Sequence, residues 1–451
     1  MGPVVHNCFA PHLEHSPSVY VATANKITIK ALMLQAALPA ATARRRLGRR
    51  ESVVLLAALM SVNAIGIDAM VPALPQMAHS LAVASANQQQ LIVITYMLGF
   101  GAGQIAWGPL ADRFGRRPLL VAGLLLFALF SLACALAPTL PFLIAGRIAM
   151  GAAAASTRVL VLAIVRDLFE GEAMAKVMSL VFMIFMVVPV LAPSLGQAIL
   201  MFAEWRMIFL VLMGYAALLL AWSLLRLPET LHPEDQRSLD PRSVLEATRL
   251  VVSDRLAMGY TLATTALFGG LSAYVASIQQ IVADVFDATR MLPLVFAACA
   301  APMAAAAFTN SRIVGRFGLR RVGHAGTLGF LAFAGIHWAA ARTGYESLAL
   351  FVILQGAAMV AFALCSANFS TLAMTNMRAF AGTASSIQGV ASTIGGALVG
   401  LAIGQAFDGT VLPFLAGMTI AAAVALGIVL TTERGRLFAA IDADEPSPSA
   451  A

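Results

Sequence analysis

Two charges interrupt long apolar stretches of the sequence: Asp68 within MSVNAIGIDAMVPALP and Arg147 within LPFLIAGRIAMGAAAA. A charge at the centre of a bilayer costs at least about 2.5–3.5 kcal/mol on insertion scales, so it normally faces a cavity and finds a partner. Asp68 stands about six residues before the end of its stretch and Arg147 about six after the start of its own; at 1.5 Å per residue both lie roughly 9 Å below one membrane face. Opposite charges at matched depth make a candidate pair. It is either a static ion pair or one that a proton or a bound compound breaks, which is the chemistry of coupling to a proton gradient.

A second cluster is Gly108-Pro109-Leu110-Ala111-Asp112-Arg113-Phe114-Gly115-Arg116-Arg117-Pro118. Gly115 permits a tight turn. Asp112 is placed to accept hydrogen bonds at the positive end of a neighbouring helix. Arg116 and Arg117 are in reach of acids in the next loop on the same side, Asp167 or Glu170. Arginines alone would serve orientation in the membrane, but orientation needs neither the aspartate nor the glycines.

The neutral polar residues Asn63, Tyr96, Gln104, Tyr274 and Gln279 fall inside apolar stretches. They are candidates for lining a cavity and equally suited to hydrogen bonding between helices. Cys8, Cys134, Cys299 and Cys365 have no metal spacing, and the seven histidines form no cluster. No Gly-rich nucleotide loop and no His/Glu or Ser/His cluster occurs, so neither ATP hydrolysis nor enzymatic chemistry is expected within the chain. No cofactor is expected.

The elements that hold these residues follow from composition. Of 451 residues, 60% are hydrophobic and 11% charged, against about a quarter charged in soluble domains. Mean hydropathy is +0.85. A spanning helix needs about 20 apolar residues. Twelve such stretches are predicted at 52–75, 89–108, 118–137, 141–164, 177–200, 207–227, 257–281, 291–310, 322–341, 346–367, 381–405 and 412–431.

The net charge of +7 lies in short loops, which argues for orientation by arginine rather than for nucleic-acid binding. Alternate loops carry Arg44–Arg50, Arg113–Arg117, Arg166, Arg237–Arg255, Arg312–Arg321, Arg378 and Arg434–Arg436, while the others carry only Arg206, Arg290 and Arg342. Both termini and the central loop are therefore expected in the cytoplasm. Residues 1–50 are expected as a disordered cytoplasmic tail, or as an overextended start with the working protein beginning near residue 45. Residues 51–227 and 257–432 form two six-helix halves, joined by the cytoplasmic loop 228–256 and followed by the tail 433–451. Arg-Phe-Gly recurs at the same place in each half, at Arg113–Gly115 and Arg316–Gly318, as parallel internal repeats do.

The loop Gly108–Pro118 resembles the signature loop of the major facilitator superfamily, G-x-L-[ad]-D-r-x-G-r-[kr], in spacing, charge order and place between the second and third spans. Ile67–Pro75, Arg147–Ala155, Pro189–Gly196 with Trp205–Phe209, and Leu227–Thr230 add further matches. Together they are similar to the Bcr/CflA-type drug:proton antiporters, which include bicyclomycin and chloramphenicol efflux proteins, over residues 50–435. Met150 stands where the helix-four motif has glutamine, and Gln197 where the helix-five motif continues with glycine.

The resemblance implies an all-α membrane protein of twelve transmembrane helices in two six-helix bundles. It makes Gly108, Asp112, Arg113, Gly115, Arg116 and Arg117 a conformational gate that latches the halves on the cytoplasmic side. It makes Pro189, Pro193 and Gly196 the helix-five antiporter motif. The implied activity is multidrug efflux: export of small amphipathic drugs or metabolites in exchange for protons, by alternating access. The alternatives are a proton-coupled metabolite symporter and a non-transporting receptor on the same fold. The chain is expected as a monomer in a bacterial inner membrane. Its partners would then be lipid, protons and a small-molecule substrate, with no nucleic acid.

Overall fold

The computed structural model describes residues 48–231, 241–377 and 381–438. Most of the two expected tails and the middle of the central loop lie outside the described residues. The first half contains α1 (Arg49–Asp68), the short α2 (Leu74–Ser80), α3 (Gln90–Phe114), α4 (Arg116–Ala135), α5 (Leu140–Leu168), α6 (Gly171–Leu200) and α7 (Arg206–Arg226). The second begins with α8 (Pro241–Ser253) and continues with α9 (Arg255–Gln280), α10 (Leu292–Phe317), α11 (Leu319–Arg342) and α12 (Leu348–Ala373). It ends with α13 (Ala381–Val390), α14 (Gly396–Gln405) and α15 (Leu412–Thr432).

Ten of these helical runs are long and apolar enough to cross a membrane. α6, whose apolar stretch is Val187–Leu200, and α11, whose hydropathy is lowered by Arg320, Arg321, His324 and His337, complete twelve spans. α13 and α14 form one span joined by the π turn Ala391–Gly395. Such bulges inside helices frequently mark functional sites.

The central loop differs from expectation. Pro241–Ser253 forms α8, and Asp254 then caps α9 by accepting the Ala257 N–H at 2.7 Å. The apolar period of α8 is short and sits among charges, so hydropathy alone reads it as loop.

Each half has its own core. Phe127, Trp205 and Phe209 anchor the first, and Phe330, Phe351, Phe369 and Phe414 the second. Outward, Leu125, Leu129, Leu218, Leu225, Ile353 and Ile420 are exposed, as a surface that faces lipid requires.

Candidate functional site

α1 stops at Asp68 because Pro72 has no N–H to continue its hydrogen-bond ladder, and a 3-10 turn, Val71–Ala73, follows. Asp68 is 6% exposed, and no hydrogen bond or ion pair holds its carboxyl among the described residues. The Tyr96 hydroxyl lies against Gly66, two residues before Asp68, where an added Cβ would meet it at 2.7 Å. Val71, three residues on, is buried in the core of the second half. Asp68 therefore stands at the seam between the halves. α6 reaches the same place: a Cβ at Gly196 would lie 1.8 Å from the Ala69 carbonyl, so only glycine lets α6 approach the break in α1. Pro189 and Pro193 lie inside α6 without interrupting it.

Arg147, on α5, is fully buried but does not pair with Asp68. Its Nε donates to the Ile92 carbonyl at 2.9 Å and its Nη1 to the Gly66 carbonyl at 3.0 Å. Its guanidinium lies 4.2 Å from the Tyr96 ring centroid, and Met150 Sδ is 3.6 Å from Nη1. Arg147 thus ties α5 to the backbones of α1 and α3. The sequence places the two charges at one depth; the structure brings Arg147 to the backbone of Gly66, two residues from Asp68.

Asn63, Tyr96, Gln104, Tyr274 and Gln279 are all buried. The Asn63 Oδ1, the Tyr96 and Tyr274 hydroxyls, the Gln279 Oε1 and the Arg147 Nη2 have no hydrogen-bond partner among the described residues. Buried polar atoms are rarely left bare, so each of these atoms has unused hydrogen-bonding capacity. Gln104 instead crosses the seam and donates to Thr393 Oγ1, within the π turn, at 3.3 Å.

At the arginine-poor end a ring of amides closes the seam. Gln90 Nε2 donates to Gln280 Oε1 at 2.5 Å, and Gln280 Nε2 to Asn87 Oδ1 at 3.2 Å. Asn87 Nδ2 donates to the carbonyls of Gln405 and Phe407 at 3.2 and 2.9 Å. Gln405 Nε2 returns to the Asn87 carbonyl at 2.8 Å and to Gln90 Oε1 at 3.3 Å. Sequence reasoning missed this ring. Its only signal is an excess of amides at the ends of three spans.

The signature loop sits at the opposite end. Gly115 adopts φ 98°, ψ 155°, a conformation essentially reserved for glycine, and Gly318 repeats it at φ 84°, ψ 157°. Arg116 binds Asp112 at 2.5 Å and Asp167 at 3.2 Å. Arg117 Nη2 donates to the Leu224 carbonyl at 2.7 Å. The acid at a helix N-terminus is Glu229, a correction to the expectation for Asp112. The Glu229 carboxylate accepts the backbone N–H of Arg116 at 2.9 Å and of Arg117 at 3.2 Å. Asp112 is drawn away because Arg116 lies one turn along, at i+4. The bonds described for Asp112, Gly115, Arg116 and Arg117 stay within the first half and the start of the loop that follows it, at Glu229, and Arg113 lies over the Phe114 ring. In the second half Glu433 takes the matching place after the last span, pairing with Arg320 at 3.1 Å.

The Major Facilitator Superfamily profile matches residues 56–400. The chain is 34% identical over 363 residues, covering 78% of it and 87% of the relative, to an uncharacterised MFS-type transporter, YdgK, of Bacillus subtilis. It is 30% identical over 273 residues to a bicyclomycin resistance protein homolog of Haemophilus influenzae, covering 59% of the chain and 67% of that protein. It is 36% identical over 192 residues to the multidrug resistance protein MdtL of Escherichia coli, covering 42% and 48%. Among solved structures it is similar to a D-xylose–proton symporter, with TM-score 0.68, 18% identity and coverage of 85% and 99%. A nucleoside transporter, NupG, gives TM-score 0.67 at 13% identity, with coverage of 85% and 99%. A twelve-span fold with a repeated glycine turn, matched by a family profile over most of its length, places this chain in the Major Facilitator Superfamily of multi-pass membrane transporters.

Proposed function

We propose that the chain exports small amphipathic compounds from the bacterial cytoplasm across the inner membrane, driven by protons moving inward through Asp68. The observation that carries this reading is a buried, partnerless carboxyl at the break in α1, on the seam between two independently packed halves. The arginine-rich end, with both termini, is the cytoplasmic one. Between described residues, the hydrogen bonds joining the halves lie at the arginine-poor end and at mid-depth. This arrangement fits a state closed to the periplasm, from which rocking of the halves opens the other side.

Asp68 takes a proton when the seam opens outward and returns it when the seam opens inward. Bare hydroxyls and amides nearby, few in number, orient a compound while apolar walls take most of its surface. Export is favoured over import because the drug-resistance relatives are 30–36% identical, whereas the symporter likeness rests on 18%. Everted membrane vesicles with an imposed pH gradient, screened with a panel of lipophilic compounds, test the reading. The expected result is uptake that collapses when a protonophore is added. Uptake of no compound, or uptake indifferent to the protonophore, would overturn it.

A further inference from the structure

A cleft of about 450 Å³ opens on the outside of the second half, between α10 and α11 and floored by α12. Phe317, Arg321, Gly326, Phe333, Leu364 and Phe438 line it. Its walls are apolar except for Arg321 at the arginine-rich end. Arg321 is exposed, and it has neither ion pair nor hydrogen bond among the described residues. Its neighbour Arg320 is already engaged by Glu433, and Arg312 and Arg316 on α10 have no acid bound to them either. The cleft therefore ends in surplus positive charge.

From Arg321 to Phe333 the cleft runs twelve residues along α11, about 18 Å at 1.5 Å per residue. That is slightly more than half of a ~30 Å hydrocarbon core, from headgroup level to just past the midplane. Its end wall is fixed: the Phe438 N–H donates to His324 Nδ1 at 3.1 Å, and His324 is held in turn by the Tyr260 hydroxyl at 3.2 Å. The site is built before anything enters it.

We propose that this cleft binds an anionic glycerophospholipid, one acyl chain lying along α11 and the phosphate on Arg321. A guanidinium matches a phosphate with paired donors, and basic pockets between spans on the cytoplasmic side are where acidic headgroups bind. The occupant is a lipid because the apolar length of the cleft lies within the membrane and opens onto it.

The test uses the purified full chain in neutral detergent, titrated with phosphatidylglycerol, phosphatidylcholine or inorganic phosphate. Retained lipid is counted by native mass spectrometry. Wild type retains phosphatidylglycerol in preference to phosphatidylcholine, and phosphate does not compete. Arg321→Gln, at an exposed position, lowers the preference about fivefold. Ala325→Phe, which fills the cleft from an exposed position on its wall, lowers retention of both lipids. The proposal fails if Arg321→Gln keeps the wild-type preference, if Ala325→Phe retains lipid as wild type does, or if phosphate displaces the lipid. It fails equally if lipid binds only after removal of residues 439–451, because the cleft then belongs to the acidic C-terminal segment.

Discussion

Asp68 and Arg147 are both buried, yet neither neutralises the other, and this separates their roles. The Asp68 carboxyl has no partner among the described residues, as the proposed proton exchange requires; Arg147 donates through Nε and Nη1 to carbonyls of α3 and α1. The sequence shows two charges at one depth, but not that the guanidinium reaches backbone carbonyls of two other helices, so the pairing it suggests and the contacts that form differ. The difference is testable. If charge alone mattered at Arg147, lysine would substitute. Lysine lacks the planar fork that reaches two carbonyls at once, and a hydrogen bond made by a charged group contributes about 1.5–3 kcal/mol. Arg147→Lys and Arg147→Ala should therefore both lower the melting temperature in detergent, with little rescue by lysine. A lysine variant that melts with wild type would show that the two hydrogen bonds matter little. Under the proposed export, the Tyr96 and Tyr274 hydroxyls, buried and unpartnered among the described residues, are suited to touch a compound. Phenylalanine at either position should change which compounds are carried while leaving the protein folded, read as a shift in the vesicle panel.

Among the elements, most spans were legible because ten are predominantly apolar runs about as long as a bilayer is thick. The two Arg-Phe-Gly turns were legible because glycine, arginine and spacing all recur. The role of Glu229 was not, since an acid after a span has no periodicity to betray where it folds back. Its consequence is a contrast between the turns. A Cβ at Gly115 would meet Glu229 Oε2 at 2.5 Å, while one at Gly318 meets nothing within 4 Å. Both glycines hold backbone that costs another residue about 1–3 kcal/mol. Gly115→Ala should therefore destabilise more than Gly318→Ala. Combining it with Glu229→Ala should give less than the sum of the two losses, because the clash goes with the carboxylate. Unfolding measurements on the four variants would show this; strict additivity, or equal losses at the two glycines, would contradict it.

For the molecule as a whole, the proposed cycle needs the two halves, each with its own core, to rock, and the amide ring of Asn87, Gln90, Gln280 and Gln405 joins them at one end. The ring carries no net charge, so its opening does not depend on titration of its own members. A short bifunctional cross-linker joining cysteines placed at Asn87 and Gln405 should stop transport, and a reducible linker should restore it on cleavage. Continued transport through the linked protein would mean that this end does not open. The central claim, that Asp68 carries the coupling proton, is tested most directly in proteoliposomes. A compound found in the vesicle screen is offered with and without an imposed pH gradient, to wild type and to Asp68→Asn. The account predicts that wild type accumulates the compound against its gradient, and that Asp68→Asn, folded and inserted, only equilibrates it. Accumulation by Asp68→Asn at the wild-type rate, driven by the pH gradient alone, would contradict it.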